Sequence, residues 1–294
     1  MEKRERIHVT ILGGGIAGLA VAIGLARQNV SFTVYEAAPE LGTVGAGIAL
    51  GPNTIAAMKL IDPALREMYD GISLGNPSPS KQHVFADFLL AEPGFGTNQG
   101  FEGAEVGASV FTKSGAHRKD LLGGMERLLS SQDVRFGKRA TSVYQHGAKV
   151  CIEFQDGEKI ETDAVIGCDG GKGITRAAVL SAEYPEHVEP AYSGRYVYRA
   201  ILPPGKAQEV LGEYAGNGKI FLGRNTYFAM YQLSGGRFNF LAGKQSSEPW
   251  GHPQWTCEVT REEMLADFEG CDYRLVALLE VNSERIFYQK KSSP

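Results

Sequence analysis

The sequence predicts an α/β fold, in which a nucleotide-binding domain with a parallel sheet and an antiparallel meander is followed by a second domain with an antiparallel sheet. Two observations predict it. Near the N-terminus, two apolar runs flank a helix-like segment rich in small residues, which is typical of a βαβ unit. After Pro185, aromatic-rich runs alternate apolar and polar residues, as half-buried antiparallel strands do. We therefore predict domains at residues 1–184 and 185–294.

A glycine-rich turn joins the first strand of the βαβ unit to its helix. Gly13, Gly15 and Gly18 follow the apolar run 7–12 in the spacing Gly-x-Gly-x-x-Gly. In a Rossmann-like unit the first glycine permits the tight turn, the second lets backbone approach a pyrophosphate, and the third lets helix pack on strand. Glu36 ends the next apolar run, where its carboxylate can accept hydrogen bonds from an adenosine ribose. This order of features predicts a dinucleotide site rather than a purely structural turn.

The middle of the chain predicts the antiparallel meander. Strand-like runs occur at 141–144, 149–154 and 159–162. The dipeptides between them, His-Gly at 146–147 and Asp-Gly at 156–157, are typical of hairpin turns. The meander is expected beside the main parallel sheet.

The second domain is predicted from four aromatic-rich runs at 195–202, 219–222, 227–232 and 237–242. Thr260 begins a Thr-x-x-Glu capping box, which predicts a helix directly after it. Residues 70–115 are rich in Gly, Pro and Ser and hold only short strand-like pieces, so we interpret them as a long insertion in the first domain.

Composition excludes several classes of function. A net charge of -4 and 22% charged residues give no basic footprint for nucleic acid. No apolar run reaches the length of a membrane span, so neither nucleic acid nor membrane is an expected partner, and the expected location is the cytoplasm. The cysteines have no Cys-x-x-Cys pair and no His at metal spacing, which predicts buried thiols and no metal site: Cys151, Cys168, Cys257 and Cys271.

Three later motifs bear on which dinucleotide binds. Residues 165–176 form an apolar strand ending in Asp169-Gly170, then a Gly-rich turn and Arg176. Arg118 opens an amphipathic helix, and residues 45–53 read Gly-Ala-Gly-Ile-Ala-Leu-Gly-Pro-Asn. Together they resemble the single-component FAD-dependent aromatic hydroxylases, the family of salicylate hydroxylase and para-hydroxybenzoate hydroxylase. Within it, the chain looks most like fungal enzymes that hydroxylate polyketide phenols, and the resemblance runs from about residue 7 to the C-terminus.

The resemblance implies FAD as cofactor and a role for each motif residue. Arg118 would reach the ribityl or phosphate region, and Asp169 would lie near FAD and the pyrophosphate of NAD(P)H. Further flavin contacts are implied for Gly45, Gly47 and Ile48 beside the isoalloxazine, and for Arg176 at the end of its motif. The chain has Gly173 where the family often has Ser. A plain turn is the alternative for Asp169-Gly170, because two other Asp-Gly pairs are interpreted as turns.

The implied reaction is hydroxylation of a phenol with NAD(P)H and O2, in which reduced flavin captures dioxygen as a C4a-hydroperoxide. Arg199 and Tyr231 match family positions that orient a phenolate, and a guanidinium beside a phenol lowers its pKa. The alternative is structural, since Arg and Tyr also alternate on half-exposed strands. The sequence leaves open which phenol reacts, whether the ring is dearomatised, which nicotinamide dinucleotide is used, and the oligomeric state.

One family motif is missing. The resemblance implies a Gly-Asp dipeptide in a late strand-to-helix turn, and none occurs in the sequence. We therefore expect the chain to be the N-terminal portion of such an enzyme. A truncated, inactive FAD-binding fragment is the alternative function. A flavoprotein reductase fits less well, because it needs a closely spaced redox cysteine pair.

Overall fold

A computed structural model describes residues 7–42, 46–109, 114–252, 254–281 and, for the backbone, 287–292. Its strands, in chain order, are β1 (His8–Leu12), β2 (Ser31–Tyr35), β3 (Gly47–Leu50), β4 (Val84–Leu90), β5 (Ala104–Gly107), β6 (Ser114–His117), β7 (Val134–Arg135), β8 (Ala140–His146), β9 (Lys149–Phe154), β10 (Lys159–Thr162), β11 (Ala164–Gly167), β12 (Tyr192–Leu202), β13 (Lys219–Leu222), β14 (Thr226–Gln232), β15 (Phe238–Gln245), β16 (Thr256–Glu258) and β17 (Phe287–Ser292). Its α-helices are α1 (Ile16–Arg27), α2 (Pro52–Ile61), α3 (Pro63–Ile72), α4 (Arg118–Glu126), α5 (Ile174–Leu180), α6 (Lys206–Leu211), α7 (Arg261–Ala266) and α8 (Tyr273–Val281).

The predicted βαβ unit forms the centre of a parallel sheet with the order β11-β1-β2-β7. Apolar residues of β1 and β2 pack against α1 and α4, where Ile11, Leu19, Val34 and Leu121 are fully buried. Burying both faces of these strands explains why they read as continuous apolar runs. Because the strands are parallel, β1, β2 and β11 all end at the same edge of the sheet, and a ligand site is expected there.

The antiparallel meander is confirmed, with the order β10-β9-β8. The turns between its strands carry Gly147 at φ 62° and Gly157 at φ 88°, which fits hairpin turns that need left-handed backbone. Ile152 and Phe154 of β9 pack with Leu12 and Tyr35 of the parallel sheet. The end of β8 at Ala140 is thereby held beside the edge where β1 and β2 end.

An eight-stranded sheet has the order β16-β17-β12-β15-β14-β13-β4-β5. Its pairs are antiparallel except β13 with β4, which run parallel. Two of its strands, β4 and β5, come from the insertion at 70–115, and the other six come from residues after 185. The apolar strand β4 pairs with β13, and the local sequence pattern does not reveal this long-range pairing.

The two faces of this sheet have different neighbours. One face packs with α6, α7 and α8 around an aromatic core that includes Phe228, Phe240 and Phe268. The capping box predicted at Thr260 is present at the start of α7. The opposite face meets the two-stranded ribbon of β3 and β6, which belongs to the nucleotide-binding half. The ribbon therefore lies between the dinucleotide region and the aromatic strands.

Candidate functional site

A cavity of about 340 Å³ lies where β1, β2 and β11 end, and we call it the strand-end cavity. Its lining is Leu12, Gly13, Gly15, Tyr35, Glu36, Ala37, Arg118, Lys138, Arg139, Ala140, Cys168, Asp169, Gly170, Lys172, Gly173 and Ile174. Five of the predicted cofactor residues are among them, although they come from four separate segments of the chain. This is the position at which doubly wound α/β sheets bind nucleotides.

The three glycines of the first turn have different surroundings. Gly13 has φ 105°, and a Cβ there would overlap the carbonyl of Cys168. A Cβ on Gly18 would overlap the carbonyl oxygen of Gly13 where α1 packs on the turn. Around Gly15, by contrast, an added Cβ meets nothing within 4 Å. Gly13 and Gly18 are thus needed by the fold itself, whereas Gly15 leaves open space.

That open space lies at the N-terminus of α1. Gly15 is the N-cap residue, no side chain caps the helix, and its first turn carries no acidic residue. Backbone N–H groups and the positive end of the helix dipole at such an end favour an anion. The turn therefore has the shape and polarity that a pyrophosphate requires.

Glu36 lines the cavity directly after β2. Its carboxylate accepts hydrogen bonds from the backbone N–H of Gly14 at 2.6 Å and of Ala38 at 2.8 Å. These bonds fix the carboxylate at the mouth of the glycine turn. A ribose hydroxyl placed there would meet acceptor lone pairs that these two bonds leave available.

Arg118 and Asp169 approach the cavity from two other segments. Arg118 is the first residue of α4, and its backbone N–H donates to the carbonyl of Ala46 at 3.0 Å. Asp169 follows β11, and its carboxylate accepts hydrogen bonds from the backbone N–H (3.1 Å) and the hydroxyl of Thr175. A Cβ on Gly173 would overlap that carboxylate, so the glycine leaves room for it.

Three cations of the cavity were missed by sequence reasoning: Lys138, Arg139 and Lys172. Hydrogen bonds to Asp156 and Glu158 raise the pKa of Lys138, and the ammonium of Lys172 lies 5.3 Å from the ring centroid of Trp255. Lys138 is paired with these two carboxylates, whereas Arg118, Arg139 and Lys172 add positive charge to the lining, which suits a bound diphosphate. The Lys-Arg pair before β8 is a signal that could have found two of them.

Arg176 lies on α5, and its predicted role in cofactor binding stays a prediction. The guanidinium Nε donates to the carbonyl oxygen of His187 at 2.8 Å, and Arg176 does not line the strand-end cavity. Its position on α5 turns the side chain toward the loop that carries His187. Arg176 is close in sequence to residues that line the cavity, but its side chain on α5 is directed toward His187.

Gly47 and Ile48 lie on β3, outside the strand-end cavity, and Gly45 lies outside the described residues. The N–H of Gly47 donates to Oδ1 of Asn239 on β15 at 2.9 Å. A Cβ on Gly47 would lie 2.5 Å from that oxygen. Asn239 was not singled out from the sequence, yet this buried amide attaches the ribbon to the eight-stranded sheet.

Arg199 and Tyr231 occupy the same face of the eight-stranded sheet as Asn239. Tyr231 is paired with Asn239, and Arg199 on β12 is paired with Leu241, two residues further along β15. The Tyr231 ring packs on β6, since a Cβ on Gly115 would lie 2.9 Å from it. The structure therefore brings the two predicted substrate residues together on the face that meets the ribbon.

The environments of these two residues differ. Burial raises the pKa of the Tyr231 phenol, and the positive charge of Arg199 partly opposes that rise. Arg199 itself is exposed. A neutral phenol and an accessible guanidinium lie on one surface, which provides a hydrogen-bond donor and a positive charge for an anionic ligand.

No helix in the part of the chain that the structure describes has both the length and the apolar character of a membrane span.

Comparisons with known proteins agree with this architecture. Residues 11–70 match the family model described as an NAD(P)-binding Rossmann-like domain. A curated FAD-dependent monooxygenase of Gibberella moniliformis is 38% identical over 300 aligned positions, which cover 98% of this chain and 68% of that protein. The 6-methylsalicylate 1-monooxygenase atA of Aspergillus terreus is 32% identical, with 90% of this chain and 60% of that protein covered. The chain thus spans 60–68% of the length of these two relatives.

Solved structures show the same fold. A salicylate hydroxylase substrate complex superposes with a TM-score of 0.78 at 21% identity, covering 98% of this chain and 68% of the other. Klebsiella pneumoniae HpxO complexed with FAD and uric acid gives a TM-score of 0.74 at 19% identity, with coverages of 98% and 68%.

Proposed function

The chain belongs to the FAD-dependent monooxygenase family, and from this premise we propose that it binds FAD and hydroxylates a phenolic substrate with NAD(P)H and O2. One observation carries the proposal: Gly13, Gly15, Glu36, Arg118 and Asp169 line one cavity at the strand ends. The balanced reaction converts phenol, O2, NAD(P)H and a proton into the hydroxylated phenol, NAD(P)⁺ and water. FAD, when bound, supplies the redox chemistry, because it accepts a hydride from the nicotinamide and reacts with O2.

The residues of the cavity fit the dinucleotide part of FAD. The open space at Gly15 and the uncapped start of α1 would receive the pyrophosphate. Glu36 would accept hydrogen bonds from the adenosine ribose, and Arg118 would bind a phosphate or the ribityl chain with its fixed set of donors. Asp169 would contact the cofactor from the end of the neighbouring strand β11.

The face with Arg199 and Tyr231 would hold the phenol. The guanidinium of Arg199 favours the phenolate, which is the more electron-rich and reactive form. Because the pKa of Tyr231 is raised, this residue keeps its proton and would donate a hydrogen bond to the substrate oxygen. The ribbon of β3 and β6 packed against this face helps to exclude water from the reacting atoms.

One relative, from Aspergillus terreus, is named a 6-methylsalicylate 1-monooxygenase. Monocyclic phenols with an ortho carboxylate are therefore the first substrates to test. A reducing compartment such as the cytoplasm suits the four free cysteines.

The test begins with the purified chain and a cofactor titration. Stoichiometric FAD, released on denaturation and separated from NAD by chromatography, supports the proposal. Glu36→Ala is expected to weaken FAD binding by roughly 1.5–3 kcal/mol, because charge-assisted hydrogen bonds are lost. Glu40→Ala is the matched control, since this exposed carboxylate lies four positions further along, outside the cavity lining. Extraction of NAD instead of flavin would contradict the cofactor assignment.

Turnover is tested separately with substrate-stimulated NAD(P)H oxidation and product analysis. Arg199→Ala and Tyr231→Phe are expected to reduce phenol hydroxylation more than they reduce FAD affinity. Wild-type turnover in both variants would show that the substrate assignment is wrong. A chain that binds FAD fully and hydroxylates no phenol would instead match a flavin-binding fragment without activity.

A further inference from the structure

The antiparallel meander brings together three side chains that offer metal-ligand atoms. Each strand contributes one of them: His146 at the end of β8, Cys151 on β9 and Glu161 on β10. The strand register explains the grouping. Cys151 is paired with Glu161 on one side and with Tyr144 on the other, and His146 lies two residues beyond Tyr144, on the same face.

The separations between the ligand atoms are close to those of a metal site. His146 Nδ1 lies 3.7 Å from Glu161 Oε1, and Cys151 Sγ lies 3.7 Å from the same oxygen. All three ligand atoms lie within 4.8 Å of one another. In a tetrahedral zinc site with bonds of about 2.0–2.3 Å, neighbouring ligand atoms are roughly 3.3–3.7 Å apart. A small rotation of exposed side chains would bring the third separation into that range.

We propose that His146, Cys151 and Glu161 bind one Zn²⁺ ion, with water in the fourth position. Imidazole, thiolate and carboxylate are the donor set that zinc accepts in proteins, whereas Mg²⁺ and Ca²⁺ prefer oxygen ligands alone. The side chains of His146 and Glu161 are 75% and 62% exposed, which leaves an open approach for the ion and a position for water. Cys151 is buried beneath them and forms the floor of the site.

The charges around the group favour a cation. The Cys151 thiol donates a hydrogen bond to the Glu161 carboxylate, and on binding its proton leaves to solvent while a sulfur–zinc bond forms. No electron is transferred. The nearest lysines are engaged elsewhere, with Lys149 bonded to Asp163 and Lys159 bonded to Glu153.

The position of the site indicates a stabilising role. An ion bound here would join all three strands of the meander. Ala140, which lines the strand-end cavity, lies at the other end of β8, about 20 Å from His146 at the usual rise of a strand. The site is therefore separate from the proposed FAD chemistry, and it departs from the sequence-based expectation of no metal.

Cobalt provides a direct test, because Co²⁺ bound by thiolate gives a charge-transfer absorption band in the near ultraviolet. The untagged full chain is expected to bind one Co²⁺ with this band, and Zn²⁺ is expected to displace it. Cys151→Ser should remove the band. His146→Gln and Glu161→Gln should each weaken Co²⁺ binding at least about tenfold.

His187→Gln is the matched control. His187 is an exposed histidine whose Nε2 lies 3.4 Å from Glu186 Oε1, but no thiol of the described residues is grouped with this pair. This variant should bind Co²⁺ as the wild type does. In parallel, Zn²⁺ should raise the melting temperature of the wild type and of His187→Gln, but not that of His146→Gln.

Three results would overturn the proposal: no thiolate band at millimolar Co²⁺, a band that persists in Cys151→Ser, or unchanged affinity in His146→Gln. If Cys151→Ser fails to fold, the exposed His146 still provides the decisive variant, since its replacement removes a ligand without disturbing the core. None of these measurements depends on flavin binding or turnover, so the outcome is distinct from that of the proposed function.

Discussion

The backbone N–H of Gly47 donates a 2.9 Å hydrogen bond to Oδ1 of Asn239, and the two residues are 192 positions apart in the chain. This bond joins the ribbon of the nucleotide-binding half to the face that carries Tyr231. Asn239 is only 6% exposed, so water cannot readily replace its amide oxygen. This buried hydrogen bond, together with the packing of the Tyr231 ring on β6, therefore helps to fix the position of the ribbon on the sheet.

Asn239→Leu is expected to lower the free energy of unfolding by about 1–3 kcal/mol, because the half-buried N–H of Gly47 loses its acceptor. Urea denaturation measures the change. Asn98→Leu, at an exposed asparagine, is the control and should change stability by no more than about 0.5 kcal/mol. Equal effects of the two substitutions would show that the Gly47 contact contributes nothing.

Gly18→Ala should mainly lower stability, whereas Gly15→Ala should mainly weaken FAD binding. A Cβ at position 18 overlaps the Gly13 carbonyl, so Gly18→Ala should destabilise the fold by about 1–3 kcal/mol or more. A Cβ at position 15 meets nothing within 4 Å, so Gly15→Ala should fold normally. It should nevertheless weaken FAD binding at least about tenfold, or 1.4 kcal/mol, because its methyl group projects into the space left for the pyrophosphate.

Unfolding curves and FAD titrations on the same preparations separate the two effects. Normal FAD affinity in Gly15→Ala would show that the pyrophosphate does not approach this backbone. A fully stable Gly18→Ala would show that the packing of α1 on the turn tolerates a methyl group.

Tyr231 predicts a pH dependence at the alkaline end. Its folded-state pKa lies above the ordinary value of 10.0, so the folded state holds the proton more tightly than the unfolded state. The resulting stability is fully present below about pH 10 and is lost as the pH rises through the folded pKa, by up to about 1.4 kcal/mol per pH unit. Between about pH 10 and 11, wild type should therefore lose more stability than Tyr231→Phe.

Unfolding free energies of both proteins across this range provide the measurement. Arg199→Gln should raise the Tyr231 pKa further, because the guanidinium charge that lowers it is gone. Parallel pH profiles for wild type and Tyr231→Phe would show that other tyrosines account for the alkaline loss of stability.

Part of the strand-end cavity could be predicted from the sequence, because several of its residues directly follow a strand. Gly13, Gly15, Glu36 and Asp169 each lie in the turn after a parallel strand, and parallel strands end at one edge of a sheet. Local order along the chain therefore determines their meeting in space. Arg118 differs from these residues, since it begins the helix after β6, a strand of the antiparallel ribbon outside the parallel sheet.

The remaining features depend on tertiary contacts that no local pattern reports. In the sequence, Asn239 is one polar residue on a strand that alternates polar and apolar residues. Its hydrogen-bond partner, the N–H of Gly47, is brought to it only by the packing of β3 on the sheet. His146 and Cys151 are five residues apart, a spacing that becomes a metal-ligand grouping only through the register of the meander. Arg176 shows the reverse case, in which a motif position is near the cavity but the helix turns its side chain away.

Gly173→Ser introduces the residue that the aromatic hydroxylase family often has at this position. The structure predicts that this substitution lowers stability. Both oxygens of Asp169 accept hydrogen bonds from Thr175, and a Cβ on Gly173 would overlap the Asp169 carboxylate. The serine should displace the carboxylate from Thr175 and lower the free energy of unfolding by about 1–3 kcal/mol. Thr175→Val, which removes the hydroxyl donor and keeps the backbone N–H, should cost about 1 kcal/mol. Since both changes act on one contact, the double variant should lose less stability than the sum of the single losses.

Gly251→Ser, at an exposed glycine where a Cβ meets nothing within 4 Å, is the control and should be neutral. Strict additivity, or an unaltered stability of Gly173→Ser, would show that Asp169 can keep its bonds to Thr175 beside a larger residue.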